Sequence, residues 1–276
     1  VHPRDIVRGV WVFKIKQNDK GEVIRFKARF CARGYTQLKG VNYEETHAPV
    51  VRMQNVLLLM ALAAEMGLEL MQNDVDTAYL YGEIDALVYI TPPEGYVQES
   101  KSGPVVLRLS KGLYGLKQSG HLWNERLVKY MLSIGYEQLK SDPCLFKYEK
   151  DGALVIVAVY VDDLISFGRP RSAVEAFTDV LEKEFRIKRL GDLTWYSNMT
   201  IERDRSPGGF VKVHQEAYVK AMCEDHGLAT ATPRNEPMAP KTDVFALVKT
   251  GKPMLPGRNI RAAVVQMSCP TVTRPT

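Results

Sequence analysis

The sequence predicts an α+β fold built around an antiparallel sheet. Three observations carry this. Two apolar runs flank an Asp-Asp pair between Val155 and Phe167, the pattern of buried strands joined by a tight turn. An alternating two-strand pattern stands earlier, at residues 10–30. Helical segments separate these strands irregularly, without the regular alternation that a doubly wound parallel sheet requires.

Residues 10–30 read as a β-hairpin. VWVFKIK alternates with a period near two, NDKG supplies a turn, and EVIRFKARF alternates again. Val10, Val12 and Ile15 are expected on one side, with the lysines largely on the other. Gly34 to Tyr43 reads as a loop. Residues 51–66 contain strong helix formers, and Gly67 offers a left-handed stop. LELMQ then gives a short strand ending near Asp74. LVYI is another short strand before the Pro92, Pro93, Gly95 loop.

Residues 118–134 repeat apolar residues at three- and four-residue steps through Leu122, Trp123, Leu127, Tyr130, Met131 and Ile134, which predicts an amphipathic helix. Val174, Phe177, Leu181 and Phe185 predict another over 172–185. GDLTWYSNMTIERD reads as a strand pair or turn and strand, and 214–226 as helix. The remainder is proline-rich and loop-like. There is no internal repeat and no low-complexity tract.

The 276 residues carry a formal charge of +5. Between Lys14 and Lys39 eight basic residues face two acidic ones, a local balance of +6. Such concentrated basicity suits phosphate contact, although a solvated basic face reads the same way. Cys31, Cys144, Cys223 and Cys269 lie far apart and form no CxxC pair, which suggests neither zinc nor a disulfide framework and favours a reducing compartment. No apolar run approaches the roughly 20 residues that span a bilayer, so no membrane partner is expected. The ends carry no cap or boundary and read as those of a fragment.

The acidic residues are the most informative. Asp is a common turn residue, and an ordinary hairpin turn explains Asp162-Asp163 taken alone. The apolar flanks on both sides point further, because buried strands would hold the turn rigidly and ionised carboxylates there need compensation. Asp74 closes a separate short strand. Asp76 is expected to be a surface residue or a helix N-cap. Hard-oxygen ligands on separate strands fit Mg²⁺ or Mn²⁺, as a pair about 3.5–4 Å apart in phosphoryl transfer. No GxxxxGK[ST], HExxH or GxSxG motif offers other machinery, and no two of the five histidines have metal-ligand spacing.

Seven ordered blocks then become recognisable. They are WVFKIK with KARFCARGYTQ, YEETHAPVVRM, NDVDTAYLYGEID with VYITPPEGY, KGLYGLKQSGHLW, VYVDDLISFG, LGDLTWY, and the C-terminal TRP. Together, from about Val10 to about Pro275, they resemble the reverse transcriptase of Ty/copia-type LTR retrotransposons. The resemblance implies a right-hand polymerase: a fingers-like hairpin and loop over 1–50, a palm over 51–203 with a fingers insertion around 84–117, and thumb with the start of a connection over 204–276.

It also implies a catalytic and metal-binding set of Asp74, Asp162 and Asp163, with Asp74 and Asp162 bridging two Mg²⁺ or Mn²⁺ ions and Asp163 peripheral but needed. Tyr79 would be a sugar gate. Gln118 would begin the helix lining the dNTP pocket, and Lys16, Arg25, Lys27 and Arg29 would offer cations to the triphosphate. The implied partners are dNTP and an RNA or DNA template with primer. RNase H and integrase segments are expected in the parent polyprotein, in a cytoplasmic virus-like particle with a possible nuclear stage.

Three segments depart from the family's pattern. SGHLW stands where SPRAW is usual, Asn198 replaces a glycine, and RAAVVQMS replaces a pattern closer to RxxVGSLMY. The last two, with the expected companion segments not seen in this stretch, raise the alternative of a catalytically dead relic or domesticated module that only binds nucleic acid. A palm-fold nucleotide cyclase would share the acidic hairpin but would not need the basic hairpin or the GLKQ block.

Overall fold

The structure, a computed structural model, describes residues 5–17, 22–84, 86–96, 105–206 and 209–230. The chain begins with β1 (Ile6–Val7), β2 (Gly9–Gln17) and β3 (Val23–Ala32), followed by α1 (Met53–Met66) and β4 (Glu69–Val75). Two short strands, β5 (Tyr89–Ile90) and β6 (Leu107–Arg108), precede α2 (Ser119–Ser133) and β7 (Glu137–Gln138). Then come β8 (Leu145–Lys150), β9 (Ala153–Tyr160), β10 (Asp163–Arg169), α3 (Arg171–Glu182) and β11 (Ile187–Asp192). The chain divides into two compact units, the first ending at Asp192. The second holds β12 (Trp195–Tyr196), β13 (Met199–Arg203), β14 (Val211–His214) and α4 (Glu216–Asp225).

Helices and a largely antiparallel sheet make the fold α+β, as the irregular element order predicts. The central sheet runs β11-β4-β10-β9-β8-β7 with every neighbouring pair antiparallel. Its core includes Phe146, Leu164, Ile165 and Phe167, with Met60 of α1, Leu127 and Met131 of α2 and Leu181 of α3. β4, between β10 and β11, is buried along most of its length although Gln72, Asn73 and Asp74 lie within it. Gly67, at φ 64°, ends α1 as its position after the last apolar turn foretells.

The β2–β3 hairpin forms, and its NDKG turn lies outside the described residues. One expectation about its faces needs correcting. The register is regular from Gly9 to Lys16, so side chains alternate strictly there. Val10 and Val12 therefore share a face with Lys14 and Lys16, and across the ladder with Arg29, Lys27 and Arg25. Ile15 lies opposite, with Trp11, Phe13 and Phe26. That second face is open: Phe13 is 74% and Phe26 78% exposed.

Asn198 adopts φ 65° in the turn between β12 and β13. Glycine is the residue freest to take that left-handed conformation, and Asn is among the side chains that tolerate it best. The replacement is therefore compatible with the turn. The altered RAAVVQMS segment lies outside the described residues. Among the described residues no helix is long and apolar enough to cross a membrane.

Candidate active site

The acidic turn joins β9 to β10 and comprises Val161 and Asp162. Val161 has φ 56°, a genuine outlier for a β-branched residue, and such strain persists only where the surroundings impose it. Two hydrogen bonds do so. The Trp123 indole N–H donates to the Val161 carbonyl at 2.8 Å, and the Val75 amide donates to the Asp162 carbonyl at 2.8 Å. The second bond ties the turn to the end of the strand that carries Asp74. Asp163 then sits directly across from Asp74 in the β4–β10 register.

Asp74 and Asp162 line one open cavity of about 780 Å³. Lys16, Arg25, Lys27 and Arg29 line it too, on the basic face of the hairpin. Burial raises the pKa of Asp74 above the ordinary carboxylate value, and Asp162 and Asp76 raise it further, while Lys188 and Lys27 oppose them. Lys27 is lowered by burial and by its neighbours Arg29, Lys16 and Arg25. The cavity thus sets concentrated positive charge against concentrated negative charge.

Asp163 does not line the cavity. Its Oδ1 accepts a hydrogen bond from the Gln72 side-chain amide at 3.2 Å, and burial raises its pKa. Among the described residues, no three His, Cys, Asp or Glu side chains converge as a ready metal-binding group. Asp74 and Asp162 remain as a pair of hard-oxygen donors on one wall. Asp76 caps no helix. It lines the same cavity and forms a 3.1 Å ion pair with Arg186.

The cavity wall beside the acids is Tyr114, with Tyr79 edge-on against it at 5.0 Å between ring centroids. Gln118 is only 1% exposed and is engaged within the protein. Its amide donates to the Asn42 carbonyl at 2.8 Å, and its oxygen accepts from the Gln37 side chain at 2.9 Å. It therefore braces the 34–43 loop, away from the cavity lining. Sequence reasoning also missed Tyr114, Arg186 and Lys188. For Tyr114 a signal existed, since glycines flank it closely in KGLYGLKQ, and isolated glycines mark close backbone approach.

The folded chain holds the Asp74 proton more tightly than the unfolded chain does, so ionised Asp74 destabilises the metal-free fold at neutral pH. The penalty fades as pH falls through the raised value toward the ordinary carboxylate range. Metal-free Asp74→Asn is therefore expected to melt above the wild type at pH 7, by on the order of 2 °C. That advantage shrinks toward pH 4. Differential scanning calorimetry at the two pH values checks this.

A family model described as reverse transcriptase (RNA-dependent DNA polymerase) matches residues 3–240. The Pol polyprotein of the Nicotiana tabacum transposon TNT 1-94 is 34% identical over 83% of this chain and 17% of its own length. That of the Arabidopsis thaliana transposon RE1 is 33% identical over 83% of this chain and 15% of its own. The Ty1-DR5 Gag-Pol polyprotein of Saccharomyces cerevisiae is 28% identical over 87% of this chain and 13% of its own. The chain thus spans under a fifth of the length of these curated relatives. The structure of a bacteriophage phi12 RNA-dependent RNA polymerase aligns over 78% of this chain and 45% of its own, at 12% identity and a TM-score of 0.36, and carries no weight for the fold. The extent of the family match settles membership: this chain belongs to the reverse transcriptase (RNA-dependent DNA polymerase) family.

Proposed function

We propose that this chain is the polymerase portion of a retrotransposon reverse transcriptase, extending a primer by templated addition of deoxynucleotides. One observation carries the reading: Asp74 and Asp162 line the same cavity as Lys16, Arg25, Lys27 and Arg29. The primer 3′-oxygen attacks the α-phosphorus of a bound dNTP. The bond to pyrophosphate breaks, and the hydroxyl proton passes to solvent. The basic hairpin face neutralises the triphosphate through charge-assisted contacts. Tyr79 lies under the sugar position, where its ring would clash with a 2′-hydroxyl.

Asp74 and Asp162 fit a divalent cation such as Mg²⁺ or Mn²⁺. Mg²⁺ is often held by one or two carboxylates and completes its shell with waters and substrate phosphates, so no preassembled cage is required. A bound pair of such ions would supply electrostatic stabilisation of the attacking and leaving oxygens. Asp163, held by Gln72, keeps the end of β10 in register behind the pair. No protein nucleophile is needed, and catalysis rests on positioning and charge.

The right-hand assignment belongs to the same reading: fingers over 1–50, palm over 51–203 with the insertion around 84–117, thumb and connection over 204–276. Template–primer and dNTP are the partners, and the parent polyprotein would add RNase H and integrase. A cytoplasmic particle with a nuclear stage belongs to the same proposal. Primer extension on poly(rA)/oligo(dT) with Mg²⁺ or Mn²⁺ tests the function. Incorporation of dTMP is expected. Salt-sensitive binding of the duplex without incorporation overturns the reading.

A further inference from the structure

Tyr114 connects three parts of the site that are distant in sequence. Its ring packs edge-on against Tyr79 at 5.0 Å, and the Arg29 guanidinium lies 5.5 Å from its ring centroid. A cation over an aromatic face is attracted by the ring's quadrupole. The ring itself faces the cavity that Asp74 and Asp162 line.

The backbone around Tyr114 leaves it little freedom. The Ala32 amide, at the end of β3, donates to the Tyr114 carbonyl at 2.7 Å. Gly115 has φ +90°, and a Cβ there would lie 2.0 Å from the Ala32 carbonyl oxygen. A Cβ on Gly112 would lie 2.4 Å from the Tyr79 carbonyl oxygen. The Ser119 hydroxyl donates to the Leu113 carbonyl at 2.8 Å and accepts from the Leu113 amide at 3.0 Å. One loop is therefore fastened to the base of the basic hairpin and to the segment carrying Tyr79.

We propose that Tyr114 is a positioning residue for the nucleotide: its ring aims Arg29 at the triphosphate and fixes the angle of Tyr79 under the sugar. The inference rests on the polymerase reading given above. It assigns the ring a task and leaves the hydroxyl none, because both contacts are made by the π-system. Losing the ring frees Arg29 to sample rotamers off the phosphates, which weakens nucleotide binding. It also lets Tyr79 shift, which relaxes the choice between deoxy- and ribonucleotides.

The test compares Tyr114→Leu and Tyr114→Phe with the wild type, after their melting curves show that each is folded. Steady-state extension of poly(rA)/oligo(dT) is measured with dTTP and with UTP. Tyr114→Leu is expected to raise KM for dTTP about five- to tenfold, with kcat changed less than about threefold. The dTTP/UTP preference is expected to fall roughly fivefold. Tyr114→Phe is expected to keep wild-type values of both.

Retention of labelled dTTP on the protein–primer–template complex in Ca²⁺ supplies a readout without turnover. Weaker retention by Tyr114→Leu alone supports the positioning role. Unchanged KM and unchanged retention in Tyr114→Leu overturn it, as does equal damage from Leu and Phe. A wild-type chain that retains dTTP yet incorporates none overturns the polymerase reading instead, and a wild type that retains none overturns both.

Discussion

Asp162→Asn is expected to lower dTMP incorporation roughly 10³-fold, about 4 kcal/mol of transition-state stabilisation, while leaving the protein folded. The structure separates these two effects. The turn is held through main-chain carbonyls, those of Val161 and Asp162, by Trp123 and Val75. No fold-holding hydrogen bond in that pair uses the Asp162 carboxylate. Asn is close to isosteric, so the backbone geometry survives and only the charge is lost. Removing one of several like charges also relieves repulsion on Asp74, so the metal-free variant is expected to melt no lower than the wild type. Asp163→Asn is expected to lose less, about 10- to 100-fold, because Asp163 lies outside the cavity wall and is tied to Gln72. Primer extension with both variants in parallel gives the comparison. Equal losses would mean that the two neighbouring acids share one role.

The largest stability effect is expected at Trp123. It is 2% exposed, with Phe185 at 5.2 Å and Tyr81 at 6.0 Å between centroids. Trp123→Ala removes that ring contact and leaves a cavity, at a cost of about 3–5 kcal/mol. That corresponds to a fall in Tm of roughly 10 °C. Trp123→Phe is the more informative change. It retains most of the apolar volume but removes the indole N–H that holds the Val161 carbonyl. The stability cost of a lost buried hydrogen bond is about 1–3 kcal/mol. Its cost in activity is expected to exceed what the melting shift explains, because the strained Val161 turn loses one of its two restraints. Calorimetry and primer extension on both variants check the split.

The sheet elements that carry the acids were legible in the sequence for a physical reason. β9 and β10 are buried strands, so they read as apolar runs, and carboxylates interrupting such runs must be either exposed at an edge or compensated; β4 was legible only as the short Leu70–Met71 stretch that leads into Asp74. The helix stop at Gly67 and the amphipathic pattern of α2 were legible because each signal is local. What failed was non-local or finer than a pattern. Counting apolar residues on the hairpin placed Ile15 with Val12, whereas the strand period places it opposite. Gln118 reads as the polar start of a helix, and nothing local reveals that its amide is spent on Gln37 and Asn42. Arg29, Tyr79 and Tyr114 meet only through the close approach of glycine-bearing backbone, which leaves no periodic trace. The pairing of Asp76 with Arg186 is likewise invisible until β4 and the residue before β11 lie side by side.

In the proposed polymerase, Asp74 and Asp162 bind the catalytic cations together. Electron paramagnetic resonance of Mn²⁺, titrated into the protein–primer–template complex with a non-reactive dNTP analogue, measures this directly. The expected result is about two tightly bound ions for the wild type and a loss of tight binding in both Asp74→Asn and Asp162→Asn. Tight binding that is the same in all three proteins would contradict it.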